Sequence, residues 1–182
     1  MKKAISILIV LLLIFSGGLV AQKKVNLEGI EVGKKTPNII LPDINGDTIE
    51  LLEIEDKIIL VNFWAAWCAP CRKKAPELLN VYNDFKVYDF KNGETGFELV
   101  NVSLDRNEIA WKNAIAKDGV DDFVNLGDMK GWQSTAAKSY NIKSIPSNVL
   151  INSNGEILAV NLSPNELKKK LKRMKKSSWL WF

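Results

Sequence analysis

The chain has 182 residues, 47% of them hydrophobic and 25% charged, which is enough for one compact domain with a buried core once a leader is set aside. Its formal charge of +4 is uneven: residues 165–176 hold seven Lys or Arg against Glu166 alone, leaving the body of the chain mildly acidic. Two cysteines and no histidine exclude a closed structural zinc site, which needs about four ligands, and exclude Cys/His hydrolases and Ser/His triads.

The first segment, MKKAISILIVLLLIFSGGLVAQKK, places Lys2 and Lys3 before an apolar run that starts at Ala4 and gives way to small residues ending at Ala21. That order is the order of a secretory signal over residues 1–21, cleaved near Gln22. The run from Ala4 to Val20 also approaches the roughly 20 apolar residues that span a bilayer, so an uncleaved anchor is the rival reading. Both place the folded part outside the cytoplasm, in a periplasm or on the outer face of the cytoplasmic membrane, where dithiols tend to oxidise. Residues 22–176 then read as one domain and 177–182, SSWLWF, as an apolar tail.

VGKKTPNIILPDINGDTIEL holds two apolar runs around DINGD at 43–47, which predicts an amino-terminal β-hairpin. KIILVNFW, 57–64, is a nearly continuous apolar run suited to a strand buried on both faces. Both cysteines follow at once, and CRKKAPELLNVYNDF carries apolar residues at helical spacing, so Cys68 falls at a strand-to-helix junction. FELVNVSLD, 97–105, predicts a second central strand, and NEIAWKNAIAKDG a helix. GWQSTAAKSYNI predicts a third helix, SIPSNVLI at 144–151 a strand, and NSNGEILAVNL, with Asn154 and Gly155 at its turn, an antiparallel hairpin. In NELKKKLKRMKK, Leu167, Leu171 and Met174 recur at helical spacing. This is a terminal amphipathic helix, docked on the core with its lysines in solvent or lying on an acidic lipid surface. Basic side chains confined to that one helix argue against nucleic acid as a partner. The series describes an α/β fold, a mixed central sheet flanked by helices.

The chemistry sits in NFWAAWCAPC, 62–71. As a structural crosslink, a disulfide between Cys68 and Cys71 closes a loop too short to constrain the unfolded chain much. As a redox centre the same spacing is useful. Unpaired N–H groups and the dipole at a helix start stabilise a thiolate at Cys68, lowering its pKa from about 8.5 toward 7 or below, and Cys71 one turn on can reach it. Short range then makes the second step intramolecular.

FWAAWCAPC, followed by Pro76 in the helix and by IKSIPSNVLINSNGEI, resembles thioredoxin-fold proteins, and residues 30–175 resemble the exported TlpA-like thiol:disulfide oxidoreductases. The resemblance implies a thioredoxin-like fold with no cofactor, in which Cys68 attacks, Cys71 resolves, and Pro146 follows a cis peptide bond facing the cysteines. Trp67, Pro70, Ile145 and Pro146 then form the substrate-binding edge. The implied partners are a disulfide-containing protein substrate and an exported or membrane thiol that supplies electrons. A dithiol oxidase or isomerase, and a non-catalytic thioredoxin-fold binding module, are the alternatives.

Two positions depart from the family pattern. Thioredoxins usually place an aspartate where this chain has Asn62, and TlpA-like relatives often place a glutamate where it has Lys74. Asn62 cannot take a proton at neutral pH, and Lys74, with Arg72 and Lys73, favours a thiolate. Both familiar carboxylates being absent, no acid is expected under Cys71, and Asp105 is the candidate substitute for proton transfer.

Overall fold

The computed structural model describes residues 29–176; the leader over 1–21 and the apolar tail at 177–182 lie outside the described residues. The amino-terminal hairpin is present as a separate two-stranded sheet, β1 (Ile40–Pro42) antiparallel to β2 (Thr48–Glu50). Asp43 shapes its turn, Oδ1 accepting from the backbone N–H of Asn45 (2.7 Å) and of Asp47 (2.9 Å).

β3 (Ile58–Trp64) is buried along its whole length, as expected of an apolar run covered on both faces. It is the centre of a five-stranded sheet completed by β4 (Phe97–Ser103), β5 (Val124–Leu126), β6 (Ser147–Ile151) and β7 (Ile157–Val160). The order is β5-β4-β3-β6-β7; β4 runs parallel to β3 and β5, while β6 is antiparallel to β3 and β7. β5 was not expected from the sequence. Its three residues carry no periodicity of their own and become a strand by pairing Val124 with Val100 and Leu126 with Val102.

Four helices flank the sheet: α1 (Ala69–Phe85), α2 (Glu108–Asp118), α3 (Thr135–Ser139) and α4 (Pro164–Met174). α2 starts on Asn107, whose side chain accepts from the N–H of Ala110 at 2.9 Å, and stops on Gly119 at φ 64°, a left-handed C-terminal position that suits glycine. The single helix expected over 131–142 is corrected: a 3-10 turn at Gly131–Gln133 is separated from the short α3 by Ser134, whose φ −50° and ψ 137° are not helical. α4 is docked, with Leu167 and Leu171 fully buried and Lys168 paired to Asp84 of α1 at 2.6 Å. Successive β3 residues face opposite layers. Phe63 meets the Tyr140 ring at 5.2 Å, and Asn62 faces the α1 side, where it shares a cavity lining with Cys71, Ala75 and Leu78.

Candidate active site

β3 delivers the chain to Trp64, and the turn Ala65–Ala66–Trp67 carries it into α1, for which Cys68 is the N-cap. The Cys71 N–H donates to Cys68 Sγ at 3.2 Å, and the Arg72 N–H to the Cys68 carbonyl at 3.1 Å. Cys68 and Cys71 form a disulfide, S–S 2.04 Å with Cα atoms 5.3 Å apart. Pro70 lies exposed in the first turn of α1, where a missing N–H breaks no intrahelical bond. Both sulfur-bearing residues are buried, at 4% and 6% exposure, whereas Trp67 beside them is 58% exposed.

On the other side of β3, Phe63 pairs with Ser147, so the next step of the ladder sets Pro146 beside Trp64, at the end from which the cysteine turn departs. The Ile145–Pro146 bond is cis, and both residues are half-buried. Ser147 Oγ donates to the Ser144 carbonyl at 2.7 Å and closes that loop.

Beneath the cysteines, register aligns four asparagines across the sheet: Asn125, Asn101, Asn62 and Asn148 on β5, β4, β3 and β6. Three are joined directly. Asn62 Nδ2 donates to Asn101 Oδ1 at 2.9 Å, Asn101 Nδ2 to Asn125 Oδ1 at 3.2 Å, and Asn125 Nδ2 to the carbonyls of Val120 and Phe123. A small cavity of about 10 Å³ is lined by Asn62, Trp64, Cys71 and Asp118 among others.

Asp118, which the sequence did not single out, lines the same small cavity as Cys71. It arrives from the last turn of α2 and takes a bidentate pair from Arg72, Nε to Oδ2 at 2.8 Å and a terminal guanidinium nitrogen to Oδ1 at 2.6 Å. By accepting these hydrogen bonds and by its charge, Asp118 holds the Arg72 guanidinium above its ordinary pKa, against an opposing effect of burial. Arg72 is therefore not a free cation beside the dithiol. Lys74 lies half-buried one turn into α1, with no hydrogen bond or ion pair among the described residues.

Asp105 is buried just past β4, its Oδ2 accepting from the Ala66 N–H at 2.9 Å and from Ser103 Oγ at 2.7 Å. These bonds pin the turn that leads into Cys68. Asp105, Trp67 and Trp132 also line a groove of about 550 Å³ beside that turn. Among the described residues, no cluster of His, Cys, Asp and Glu could hold a metal ion.

The model of a thioredoxin-like family matches residues 56–157, from just before β3 to the start of β7. The chain belongs to this thioredoxin-like family. Thiol-disulfide oxidoreductase ResA of Bacillus subtilis (strain 168) is 32% identical over 133 residues, covering 73% of this chain and 68% of the relative. The ResA of Bacillus thuringiensis (strain Al Hakam) is 30% identical over 158 residues, covering 82% and 83%. Among solved structures, the thioredoxin domain of a thiol-disulfide oxidoreductase from Bacteroides vulgatus matches with a TM-score of 0.71 and 32% identity, over 80% of this chain and 99% of that one. With its Cys-x-x-Cys pair closed at the start of α1, this thioredoxin-like chain is a thiol-disulfide oxidoreductase.

Sequence reasoning missed Asp118 and Trp132. Asp118 is 46 residues from Arg72 along the chain, and its only local signal was an acid ahead of Gly119. Trp132 reads as one apolar residue of a helix, and it faces the groove because the helix does not form there.

Proposed function

We propose that the protein is an exported reductase of protein disulfides, working through Cys68 as nucleophile and Cys71 as resolving thiol. The observation that carries this reading is the position of Cys68 as N-cap of α1, which places its sulfur where helix N–H groups and the dipole favour a thiolate. In the reduced state, Cys68 S⁻ attacks one sulfur of a substrate disulfide. A Cys68–substrate bond forms, the substrate S–S bond breaks, and the departing substrate thiolate takes a proton. Cys71, on losing its proton, attacks Cys68 Sγ. The intramolecular disulfide forms and the second substrate thiol leaves, so two electrons and two protons pass to the substrate.

Trp67, Ile145 and Pro146 supply the docking edge, where an extended substrate segment can use the backbone beside the cysteines, and Pro70 restrains the redox turn. Asn62 and Lys74 tune the charge around Cys71. Asp105, with one oxygen already holding two donors, supports the turn and is not proposed as the proton acceptor. An exported or membrane thiol restores the dithiol. Export rests on the basic, apolar, small order of residues 1–21.

Two measurements test the reading. The Cys68/Cys71 couple is expected near or below about −250 mV, and a value near −120 mV overturns reduction in favour of oxidation. Cys71→Ser is expected to accumulate mixed disulfides through Cys68 with protein substrates in the exporting cell.

A further inference from the structure

The groove beside the cysteine turn has an unusual pair of properties for a surface of about 550 Å³. Its apolar walls are Trp67 and Trp132, 58% and 39% exposed, with ring centroids 6.5 Å apart and planes tilted by 49°. Two large rings in contact with each other and left in water form one continuous apolar surface on their outer faces. Next to them stands Arg106, exposed and without a hydrogen bond or ion pair among the described residues. The other arginine of the groove, Arg72, is occupied by Asp118.

Arg106 is also held in place. Gly131, at φ 58°, leaves the space that its side chain fills: a Cβ there would stand 2.9 Å from Arg106 Nε and 3.2 Å from Cγ. The Gly131 N–H is tied in turn to the Asp105 carbonyl at 3.2 Å. Thus a guanidinium with no internal partner lies on bare backbone, between the turn that carries Cys68 and the turn that carries Trp132. A cation set beside two aromatic faces selects an anion carried next to a large apolar group.

We propose that this groove reads the substrate: it takes the polypeptide segment flanking the disulfide under attack, with a large apolar side chain packed on the exposed faces of Trp67 and Trp132 and a carboxylate on Arg106. The assignment rests on the reductase reading and names its substrate class, protein disulfides bordered by an aromatic or large aliphatic residue and an Asp or Glu. Its continuity with the cysteine centre is covalent, since Trp67 precedes Cys68.

The test uses two synthetic peptides, each closed by one disulfide and identical except that a residue beside a shared tryptophan is Glu in one and Lys in the other. The full chain, reduced and freed of reductant, is mixed with each under single-turnover conditions. Two electrons pass from Cys68 and Cys71 to the peptide disulfide, and the rate of peptide thiol release is divided by the rate of the same peptide with dithiothreitol. The parent protein is expected to favour the Glu peptide by about two- to fivefold, the range of an exposed ion pair, and the preference should shrink at about 1 M salt. Arg106→Glu inverts it, Arg106→Lys keeps its sign, and Trp132→Ala slows both peptides. A ratio near one in the parent, or a ratio that Arg106→Glu leaves unchanged, overturns the groove assignment while both peptides are still reduced. If the parent reduces neither peptide, the reductase reading fails and this assignment falls with it.

Discussion

On the face of β3 turned toward Cys71, Asn62 begins a directed row of amides. It donates to Asn101, which donates to Asn125, which donates to two carbonyls. The row satisfies buried polar groups without placing a formal charge under the cysteine pair. Asn62→Asp is a sharp probe for that reason. The new carboxylate has no hydrogen for Asn101 Oδ1, so the variant is expected to lose about 1–3 kcal/mol of stability. Its charge beside Cys71 should also move the alkylation titration of the dithiol to higher pH, while offering a proton acceptor that speeds decay of a preformed mixed disulfide. Alkylation rate against pH and the decay time measure the two effects separately. An unchanged decay would mean that another group already takes the proton, and Asp118, on the same cavity, is the first to examine.

Among the elements, α4 shows how capping and packing divide the work. Ser163 and Glu166 form a capping box: Ser163 Oγ accepts from the Glu166 N–H at 3.3 Å, and Glu166 Oε2 accepts from the Ser163 N–H at 2.8 Å. Leu167 and Leu171 have no exposure at all. Ser163→Ala is expected to cost about 1 kcal/mol and Leu171→Ala about 2–5 kcal/mol, read from urea midpoints. Equal costs would mean that the cap holds α4 as strongly as its buried face does. The same packing bears on the lipid-surface reading of this helix. The face that would enter a lipid interface is the one turned to the core, and what remains outside is a set of lysines.

Over the whole molecule, one partly buried acid gives stability a pH dependence with a definite sign. Glu98 on β4 is half-buried, and loss of hydration pushes its carboxyl above the ordinary 4.5, opposed by the Leu99 N–H and by Lys57 and Lys86. An acid whose folded pKa is raised favours the fold only while it is neutral. Below the unfolded value both states are protonated and nothing is lost; as pH rises through the folded value, the folded state alone carries the cost of a desolvated charge. Glu98→Gln should therefore raise the urea midpoint at pH 7, with the gain disappearing near pH 4. A gain of the same size at both pH values would assign the effect to packing.

The sequence by itself determined what local pattern can determine. The apolar run at 57–64 could only be a covered strand, the cysteines had to fall at the start of the next helix, and the Asn-Gly turn at 154–155 had to close a hairpin, because these follow from side-chain periodicity and backbone preference within a few residues. Chemistry was legible on the same terms: two cysteines without histidine, spaced by one helical turn, leave redox as the productive use. What only the tertiary structure decided depends on neighbours that are distant in sequence. β5 exists because β4 offers it a ladder, and Trp132 reaches the groove because Ser134 breaks the helix that periodicity predicts. Asp118 shares a cavity lining with Cys71 because α2 ends there, and its pairing then removes Arg72 from the set of free cations. Charge acts through space with a reach of several ångströms, so the electrostatics of the site could not be read along the chain until the chain had folded back on itself.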